Sequence, residues 1–324
     1  MRYTIGIDLG GTNIAAGLLD ETYNIIDTVS LPTNAPRAAA AIVTDMAWLV
    51  DGLQKKHGVT AARIGIGAPG IISDGIVRNA SNLRFDNVPL AEMVASATHL
   101  PCRLGNDANA AALGEYMAGA AQGVQSLLMV MLGTGIGGGI IVDGKIIDGF
   151  NGAGGEIGHF TLYPDGRQCS CGRKGCFEAY CSASALAADT IRAMFLHPES
   201  VLWKLTEGDF TRVNGKTAFD GMRQGDAVST AIVNEYISNL GVGLSSLVML
   251  LQPEVIAIGG GISREGETLL APLREIVETR SYYESATPRT RLIAAKFLGE
   301  AGIVGAAALW GDEYPTENRS SVLS

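Results

Sequence analysis

The chain has 324 residues, of which 47% are hydrophobic and 18% charged, and this composition is typical of a globular protein with a large core. A formal net charge of −9 and the lack of any run of Lys and Arg argue against a nucleic-acid partner. The apolar stretches are interrupted by glycines or are shorter than the roughly 20 residues of a membrane-spanning helix, and Asp8 interrupts any amino-terminal signal segment. We therefore expect a cytoplasmic protein that binds neither nucleic acid nor membrane.

Short β-prone runs separated by polar or glycine turns open the chain and predict an antiparallel meander of three strands. Apolar residues at helical spacing then predict a helix that ends near His57 and Gly58. From the turn at Pro69 and Gly70 through Val88 we expect an irregular segment. The predicted elements of this part are strands at 3–9, 14–19, 25–31, 63–67 and 102–104, and helices at 38–56 and 108–117.

The rest of the chain repeats a strand, glycine turn, strand unit and then becomes mainly helical up to Leu251. Its predicted strands lie at 127–132, 140–142, 255–258 and 292–296, with a closing helix at 303–310. We divide the chain into a small α/β lobe at 1–106, a large α/β lobe at 107–299, and a carboxy-terminal helix at 300–324 that returns to the small lobe.

Three glycine-rich loops each follow an apolar strand, and such loops let backbone N–H groups converge on an anion such as phosphate. A dinucleotide-binding loop would open a helix, whereas the first two loops run into another strand-like segment. A P-loop is also excluded, because Ile146 stands where its hydroxyl residue is needed. A tight turn remains the alternative for each loop taken singly. The loops are Gly10–Gly11–Thr12–Asn13, Gly133–Thr134–Gly135–Ile136–Gly137–Gly138–Gly139 and Gly259–Gly260–Gly261.

Two carboxylates lie where strands end. Asp8 precedes the first glycine loop, and a carboxylate there suits Mg²⁺ beside bound phosphates. Asp107 follows Asn106 at a predicted strand-to-helix junction, and spacing alone favours it as the helix N-cap. Its alternative role is the base that accepts a proton from a substrate hydroxyl in phosphoryl transfer.

Three cysteines crowd into CSCGRKGC, at positions 169, 171 and 176. In a reducing compartment a stable disulfide is not expected, so a metal site, a redox pair or buried thiols remain. A four-thiolate site that includes Cys181 is a further alternative, although Cys181 lies in a helix-prone stretch and suits packing. Glu156, His159 and Glu178 flank the cluster and have the polar groups that bind sugar hydroxyls.

These motifs together resemble the ROK family (repressor, open reading frame, kinase), and within it the bacterial glucokinases. The resemblance covers nearly the whole chain and implies the actin-like ATPase/hexokinase (ribonuclease H-like) α/β fold, with two lobes around a cleft. The motifs are IGIDLGGTN at 5–13, GAPG at 67–70, NDANAAALGE at 106–115, LGTGIGGGII at 132–141, NGAGGEIGH at 151–159, CSCGRKGCFE at 169–178 and IGGGIS at 258–263.

The resemblance implies phosphorylation of a hexose, most simply glucose, at its 6-hydroxyl by ATP and Mg²⁺, with Asp107 as the base. It implies sugar contacts at Asn82, Asn106, Asp107, Glu156, His159 and Glu178. It places the ATP phosphates against Asp8, Gly10, Gly11, Thr12, Asn13, Gly133, Thr134, Gly135, Gly137, Gly260 and Gly261. It also implies a structural Zn²⁺ held by His159, Cys169, Cys171 and Cys176, and a homodimer or homotetramer.

Two departures from the family pattern matter. Asn82-Leu83-Arg84-Phe85 replaces NLGW, so a charged residue stands where the family has glycine, and Gly105 stands where an acidic residue is frequent. N-acetylglucosamine, N-acetylmannosamine, mannose, allose and fructose therefore remain alternative substrates. A non-catalytic sugar sensor of the same fold is the alternative from another class, and the presence of Asp107 favours the enzyme.

Overall fold

A computed structural model describes residues 2–280, 287–297 and 299–311. It has thirteen strands in these ranges, and the predicted opening meander is confirmed. The strands are β1 (Thr4–Leu9), β2 (Asn13–Leu19), β3 (Ile25–Pro32), β4 (Arg63–Ala68), β5 (Ile71–Ser73), β6 (Ile76–Ala80), β7 (Phe85–Val88), β8 (Cys102–Asn106), β9 (Leu127–Leu132), β10 (Ile136–Val142), β11 (Lys145–Ile146), β12 (Val255–Gly259) and β13 (Arg291–Ala294).

Ten α-helices lie in the same ranges, and a predominantly helical stretch after the cysteine cluster is confirmed. Short 3₁₀ helices lie at Ile157–His159, Phe210–Arg212 and Gly261–Glu265. The α-helices are α1 (Ala39–His57), α2 (Leu90–Thr98), α3 (Asp107–Met117), α4 (Glu178–Cys181), α5 (Ala183–Leu196), α6 (Leu202–Leu205), α7 (Thr217–Arg223), α8 (Ala227–Leu251), α9 (Glu267–Arg280) and α10 (Ala301–Ala308).

Two five-stranded sheets carry most of the strands. The first has the order β3-β2-β1-β4-β8, in which β1 pairs antiparallel with β2 and parallel with β4, and β4 pairs parallel with β8. The second has the order β11-β10-β9-β12-β13. None of the helices in the described ranges combines the length and apolar character that crossing a membrane requires.

The prediction of an irregular segment through Val88 is wrong. Strands β5, β6 and β7 form an antiparallel three-stranded sheet there, and α2 follows it. These strands are only three to five residues long, too short to show the alternation of apolar and polar residues that reveals a strand.

Helix α10 packs directly on the first sheet because a row of glycines leaves room for it. Gly17, Gly6 and Gly65 are cross-strand partners on β2, β1 and β4. A Cβ added at Gly6 or Gly65 would lie 1.9 Å or 1.7 Å from a carbonyl oxygen of α10, at Ile303 and Ala306. The backbone of the helix therefore contacts the backbone of the sheet, which only glycine permits.

The described chain groups into two compact units. The first takes its residues from 2–129, 139–155 and 296–311, and the second from 130–138 and 156–295. This grouping differs from the predicted boundary after residue 106, because α3 packs against α10 and so belongs to the first unit. The lobe division stays a prediction, and residues 312–324 of the predicted closing segment lie outside the described residues.

Candidate functional site

Asn106, and not Asp107, caps helix α3, so the capping prediction is wrong. The Asn106 side-chain oxygen accepts hydrogen bonds from the backbone N–H groups of Ala108 (2.9 Å) and Asn109 (3.1 Å). Its amide nitrogen donates to the carbonyl oxygen of Gly70 at 3.1 Å. Asp107 is the first residue of the helix, and its carboxylate accepts a hydrogen bond from Ala108 N–H at 2.8 Å. The Asp107 carboxylate therefore keeps acceptor capacity for another group.

Asp8 lies near Asp107 in the first unit. The register pairs Asp8 of β1 with Gly67 of β4, and Gly67 with Gly105 of β8, so both carboxylates are at the carboxyl edge of parallel strands, where α/β sheets bind ligands. Burial, and secondarily the charge of Asp107, raises the pKa of Asp8 to about 6. Burial also raises the pKa of Asp107. The two acids therefore form one electrostatically linked pair.

The first glycine loop is a tight turn between β1 and β2. Gly10 N–H donates to the carbonyl oxygen of Asn13 at 2.9 Å, so Gly11 and Thr12 form its tip and Asn13 already belongs to β2. A Cβ added at Gly11 would lie 3.4 Å from the Cβ of Asn82. The turn between β6 and β7 thus brings Asn82 against this loop.

Four predicted metal ligands converge in the second unit. One donor atom from each of His159, Cys169, Cys171 and Cys176 lies within 4.8 Å of the other three. His159 Nδ1 is 3.7 Å from Cys169 Sγ, and Cys171 Sγ is 3.7 Å from Cys176 Sγ. Tetrahedral zinc with its usual bond lengths needs separations of about 3.5 Å for S···N and about 3.8 Å for S···S. The donor set and its spacing therefore fit a Cys₃His zinc site.

Cys181 does not belong to this cluster. It is fully buried at the end of α4, and the metal-competent group found among the described residues omits it. Its carbonyl oxygen accepts a hydrogen bond from the Tyr236 hydroxyl at 2.9 Å. The packing role predicted for Cys181 is thus confirmed.

Glu178 joins the cysteine segment to the second glycine loop. One carboxylate oxygen accepts the N–H of Ile136 at 2.9 Å, and the other accepts the hydroxyl of Ser170 at 3.1 Å. A Cβ added at Gly135 would lie only 2.3 Å from that first oxygen. Glycine is therefore required there for the loop to approach the carboxylate. Glu156, at the start of the 3₁₀ helix that ends at His159, is exposed.

The second glycine loop is shorter than predicted. Strand β10 begins at Ile136, so Gly137 lies inside a strand and only positions 133–135 form the loop. Gly133 and Thr134 line a pocket of about 730 Å³ in the second unit, together with Gly261 of the third loop. Gly260 has φ +83°, and a Cβ there would lie 2.4 Å from a carbonyl oxygen of β9. The two loops thus line a common pocket.

The family model described as "ROK family" matches residues 4–313. The chain belongs to the ROK family. This ROK chain is 39% identical over 319 residues to the glucokinase of Streptomyces coelicolor, covering 97% of this chain and 99% of that one. It is 32% identical over 309 residues to the N-acetylmannosamine kinase of an Escherichia coli strain, covering 94% and 97%.

A crystal structure of a ROK family glucokinase from Streptomyces griseus in complex with glucose and AMPPNP has a TM-score of 0.82 and 38% identity to this ROK chain. The likeness covers 95% of this chain and 98% of the Streptomyces griseus chain. The predicted α/β fold of the actin-like ATPase and hexokinase class is confirmed by this likeness.

Arg84, which replaces the glycine of the family pattern, keeps the backbone conformation typical of glycine. Arg84 has φ +53°, in the left-handed region that favours glycine. The turn that holds it is closed by N–H groups of Leu83 and Arg84, which donate to the carbonyl oxygens of Ala80 (3.2 Å) and Ser81 (3.3 Å). The ROK chain therefore keeps a glycine-type turn beside Asn82 but gives it an exposed cation.

Sequence reasoning missed the charged residues that line the 730 Å³ pocket. Its charged residues come from a 3₁₀ helix, α7 and the segment before it, and they look like ordinary surface ion pairs in the sequence. A spacing of three or four residues between opposite charges on α7 was the one available signal, and such pairs are common on helices. The charged lining residues are Lys216, Asp220, Arg223, Arg264 and Glu265.

Proposed function

We propose that this ROK protein is an ATP-dependent sugar kinase that phosphorylates the 6-hydroxyl of glucose. The observation that carries the proposal is Asp107, a carboxylate that is freed from capping by Asn106 and lies beside Asp8. Near full-length identity of 39% to a glucokinase and likeness to a glucokinase bound to glucose and AMPPNP support the substrate and the donor.

In this mechanism Asp107 is the catalytic base. Its carboxylate accepts the proton of the sugar 6-hydroxyl as that oxygen bonds to the γ-phosphorus, and the bond from the γ-phosphorus to the bridging oxygen breaks to release ADP. Burial raises the pKa of Asp107, and a carboxylate with a raised pKa is a stronger base near neutral pH. Positioning and charge neutralisation supply most of the remaining rate in phosphoryl transfer.

Asp8 and the first glycine loop form the proposed phosphate side of the first unit. The buried carboxylate of Asp8 suits Mg²⁺, directly or through water, because Mg²⁺ prefers carboxylate and phosphate oxygens. Bound there, Mg²⁺ would neutralise charge on the phosphates. The N–H groups of Gly11 and Thr12 lie at the tip of the turn and would donate to phosphate oxygens.

The sugar contacts proposed for Asn106, His159 and Glu178 are constrained by bonds these side chains already make. Asn106 uses its oxygen twice and one amide hydrogen once, which leaves a single N–H for a hydroxyl. His159 directs Nδ1 to the cysteine cluster, so Nε2 is the atom that would bind sugar. Glu178 keeps a lone pair on Oε2, whereas its Oε1 accepts from both the Ser170 hydroxyl and the Cys169 thiol. Asn82 and Glu156 complete the proposed set.

The proposed zinc is structural. Its four protein ligands fill a tetrahedral shell, the composition of closed structural zinc sites. Bound zinc would fix His159 on one side of the cysteine segment and Glu178 on the other. A homodimer or homotetramer, a place in glycolysis and a cytoplasmic location stay predictions.

A coupled assay of ADP release against glucose, N-acetylmannosamine, N-acetylglucosamine, mannose, allose and fructose tests the proposal. We expect the highest kcat/KM with glucose. Asp107→Asn should lower kcat by 10²- to 10⁴-fold, the usual contribution of a general base, while helix α3 keeps its Asn106 cap. Wild-type protein with no turnover of any of these sugars would overturn the proposed function, and near-normal turnover by Asp107→Asn would overturn the role of Asp107.

A further inference from the structure

A chain of ion pairs lines part of the 730 Å³ pocket in the second unit. Asp220 Oδ1 lies 2.7 Å from a guanidinium nitrogen of Arg223, and Asp220 Oδ2 lies 3.7 Å from Lys216 Nζ. Arg223 also contacts Glu265 at 2.5 Å. The Glu265 side chain is only 6% exposed, whereas that of Asp220 is 34% exposed. Asp220 is thus the open carboxylate of this wall.

A carboxylate is unexpected in a pocket that takes a polyphosphate chain, because like charges repel. The glycine loops at Gly133, Thr134 and Gly261 line the same pocket and lack charged side chains. The N–H groups of Thr134 and Gly261 suit the phosphates, whereas that of Gly133 donates to the carbonyl oxygen of Gly135 at 3.0 Å. An ionised Asp220 only accepts hydrogen bonds, so the ligand group beside it must carry an O–H or N–H.

Arg223 keeps the Asp220 carboxylate fixed. Because Arg223 is held by Glu265 at one side and by Asp220 at the other, its guanidinium has little freedom to turn towards the phosphates. Asp220 has about four lone-pair sites, of which Arg223 uses one at 2.7 Å and Lys216 approaches another at 3.7 Å. The remaining sites are available to a ligand.

The same pocket also has an apolar patch in its lining. A Cβ added at Gly215 would lie 2.6 Å from Ile262 Cδ1 and 3.1 Å from Ala183 Cβ, so these three residues pack without a gap. All three line the pocket. Backbone N–H groups, an apolar patch and a carboxylate acceptor in one pocket match the kinds of group that a nucleoside triphosphate presents.

We propose that Asp220 is a specificity-determining residue that accepts a hydrogen bond from the nucleoside part of the phosphoryl donor. The bonded group is an O–H or N–H of that nucleoside, either a ribose hydroxyl or the exocyclic amino group of the base. This inference rests on the proposed function in taking ATP as the donor, and it names the residue that distinguishes one nucleotide from another.

Four donors test the inference with wild-type enzyme, Asp220→Ala and a control variant. ATP, 2′-deoxy-ATP, 3′-deoxy-ATP and inosine triphosphate differ in the groups that Asp220 would contact. Glu207→Gln is the matched control, because Glu207 is also in the second unit and also pairs with an arginine, at 2.5 Å, but its side chain is 74% exposed. The KM for each donor is measured at saturating glucose, together with kcat.

We expect Asp220→Ala to raise the KM for ATP on the order of tenfold, the size of a lost hydrogen bond to a charged acceptor, with kcat and the KM for glucose within twofold of wild type. Wild-type enzyme should use one of the three analogues about tenfold less well than ATP, and Asp220→Ala should lose that discrimination. The analogue affected identifies the contact as the 2′-hydroxyl, the 3′-hydroxyl or the base amino group. Glu207→Gln should match wild type throughout.

If the Asp220 variant has a raised KM for ATP but keeps the wild-type ratio of each analogue's KM to that of ATP, the role of Asp220 is structural and the proposal is overturned. Equal use of all four donors by wild-type enzyme would also overturn it, without any need for a folded variant. If wild-type protein phosphorylates no sugar, the proposed function fails, and calorimetric titration of the same nucleotides then tests Asp220 by the same ratios.

Discussion

Replacing Asp8 by Asn should stabilise the protein at pH 8 while removing kinase activity. Burial and the charge of Asp107 raise the pKa of Asp8 from 3.8 to about 6, which is about 2 units at about 1.4 kcal/mol each, or about 3 kcal/mol of destabilisation when Asp8 is ionised. The amide of Asn is also polar and loses part of this gain on burial. We therefore expect a net stabilisation of about 1–2 kcal/mol.

The pH dependence of this gain distinguishes it from an ordinary packing effect. Below about pH 3.8 Asp8 is protonated in both folded and unfolded wild-type protein, so its charge costs nothing there. As pH rises through about 6 the folded protein must ionise Asp8, and the wild type loses the stability that the neutral carboxyl allowed. The difference between Asp8→Asn and wild type should thus be full above about pH 7 and small near pH 4.

Urea unfolding at pH 4.5 and pH 8, with Mg²⁺ chelated, measures the difference. Asp51→Asn is the control, since Asp51 is an exposed carboxylate of the first unit that pairs with Lys55, and it should change stability by less than about 0.5 kcal/mol at either pH. Equal stabilisation at both pH values, or destabilisation at pH 8, would refute the account of Asp8 as a charge buried at a cost.

Two further substitutions test the second unit. Cys171→Ser should reduce bound zinc, measured by atomic absorption, well below one per chain and should raise the KM for glucose on the order of tenfold, as loss of a metal-site residue does. The control variant Cys181→Ala should keep its zinc. Full zinc content in Cys171→Ser would contradict the ligand set. Gly135→Ala places a methyl group 2.3 Å from the Glu178 carboxylate and should lower kcat/KM at least tenfold. In the control variant Gly133→Ala the added methyl group has no atom nearer than 3.9 Å, and its kcat/KM should stay within threefold of wild type. Equal losses of kcat/KM in both variants would count against a role for the Glu178 contact.

Much of the fold follows from patterns that are local in the sequence. The opening strands and the long helices were predicted correctly because their apolar residues recur with the period of a strand or a helix. Strands β5 to β7 were missed, since they gain stability from one another rather than from an internal pattern. The start of β10 was also missed, because glycines at 137–139 resemble a loop but lie within a strand.

The candidate site could be predicted from the sequence where its residues are grouped in one segment. It could not be predicted where tertiary packing determines which side chains meet. The zinc ligands lie within 18 residues, and their spacing restricts the geometry. Asn106 and Asp107 are equally good capping residues, so only the structure shows which one caps. Asp220 and Glu265 are 45 residues apart, and nothing in either segment indicates that Arg223 joins them.

The Asn106 cap also determines what a pH–rate profile of this enzyme will report. An aspartate cap would lose its hydrogen bonds to the helix on protonation, and a fall in activity at low pH would then mix fraying of α3 with loss of the base. The amide of Asn106 does not titrate, and its two bonds to the first turn of α3 are the same at every pH. The acid limb of the profile therefore reports the ionisation of the Asp8 and Asp107 pair, undisturbed by unwinding of the helix that presents Asp107.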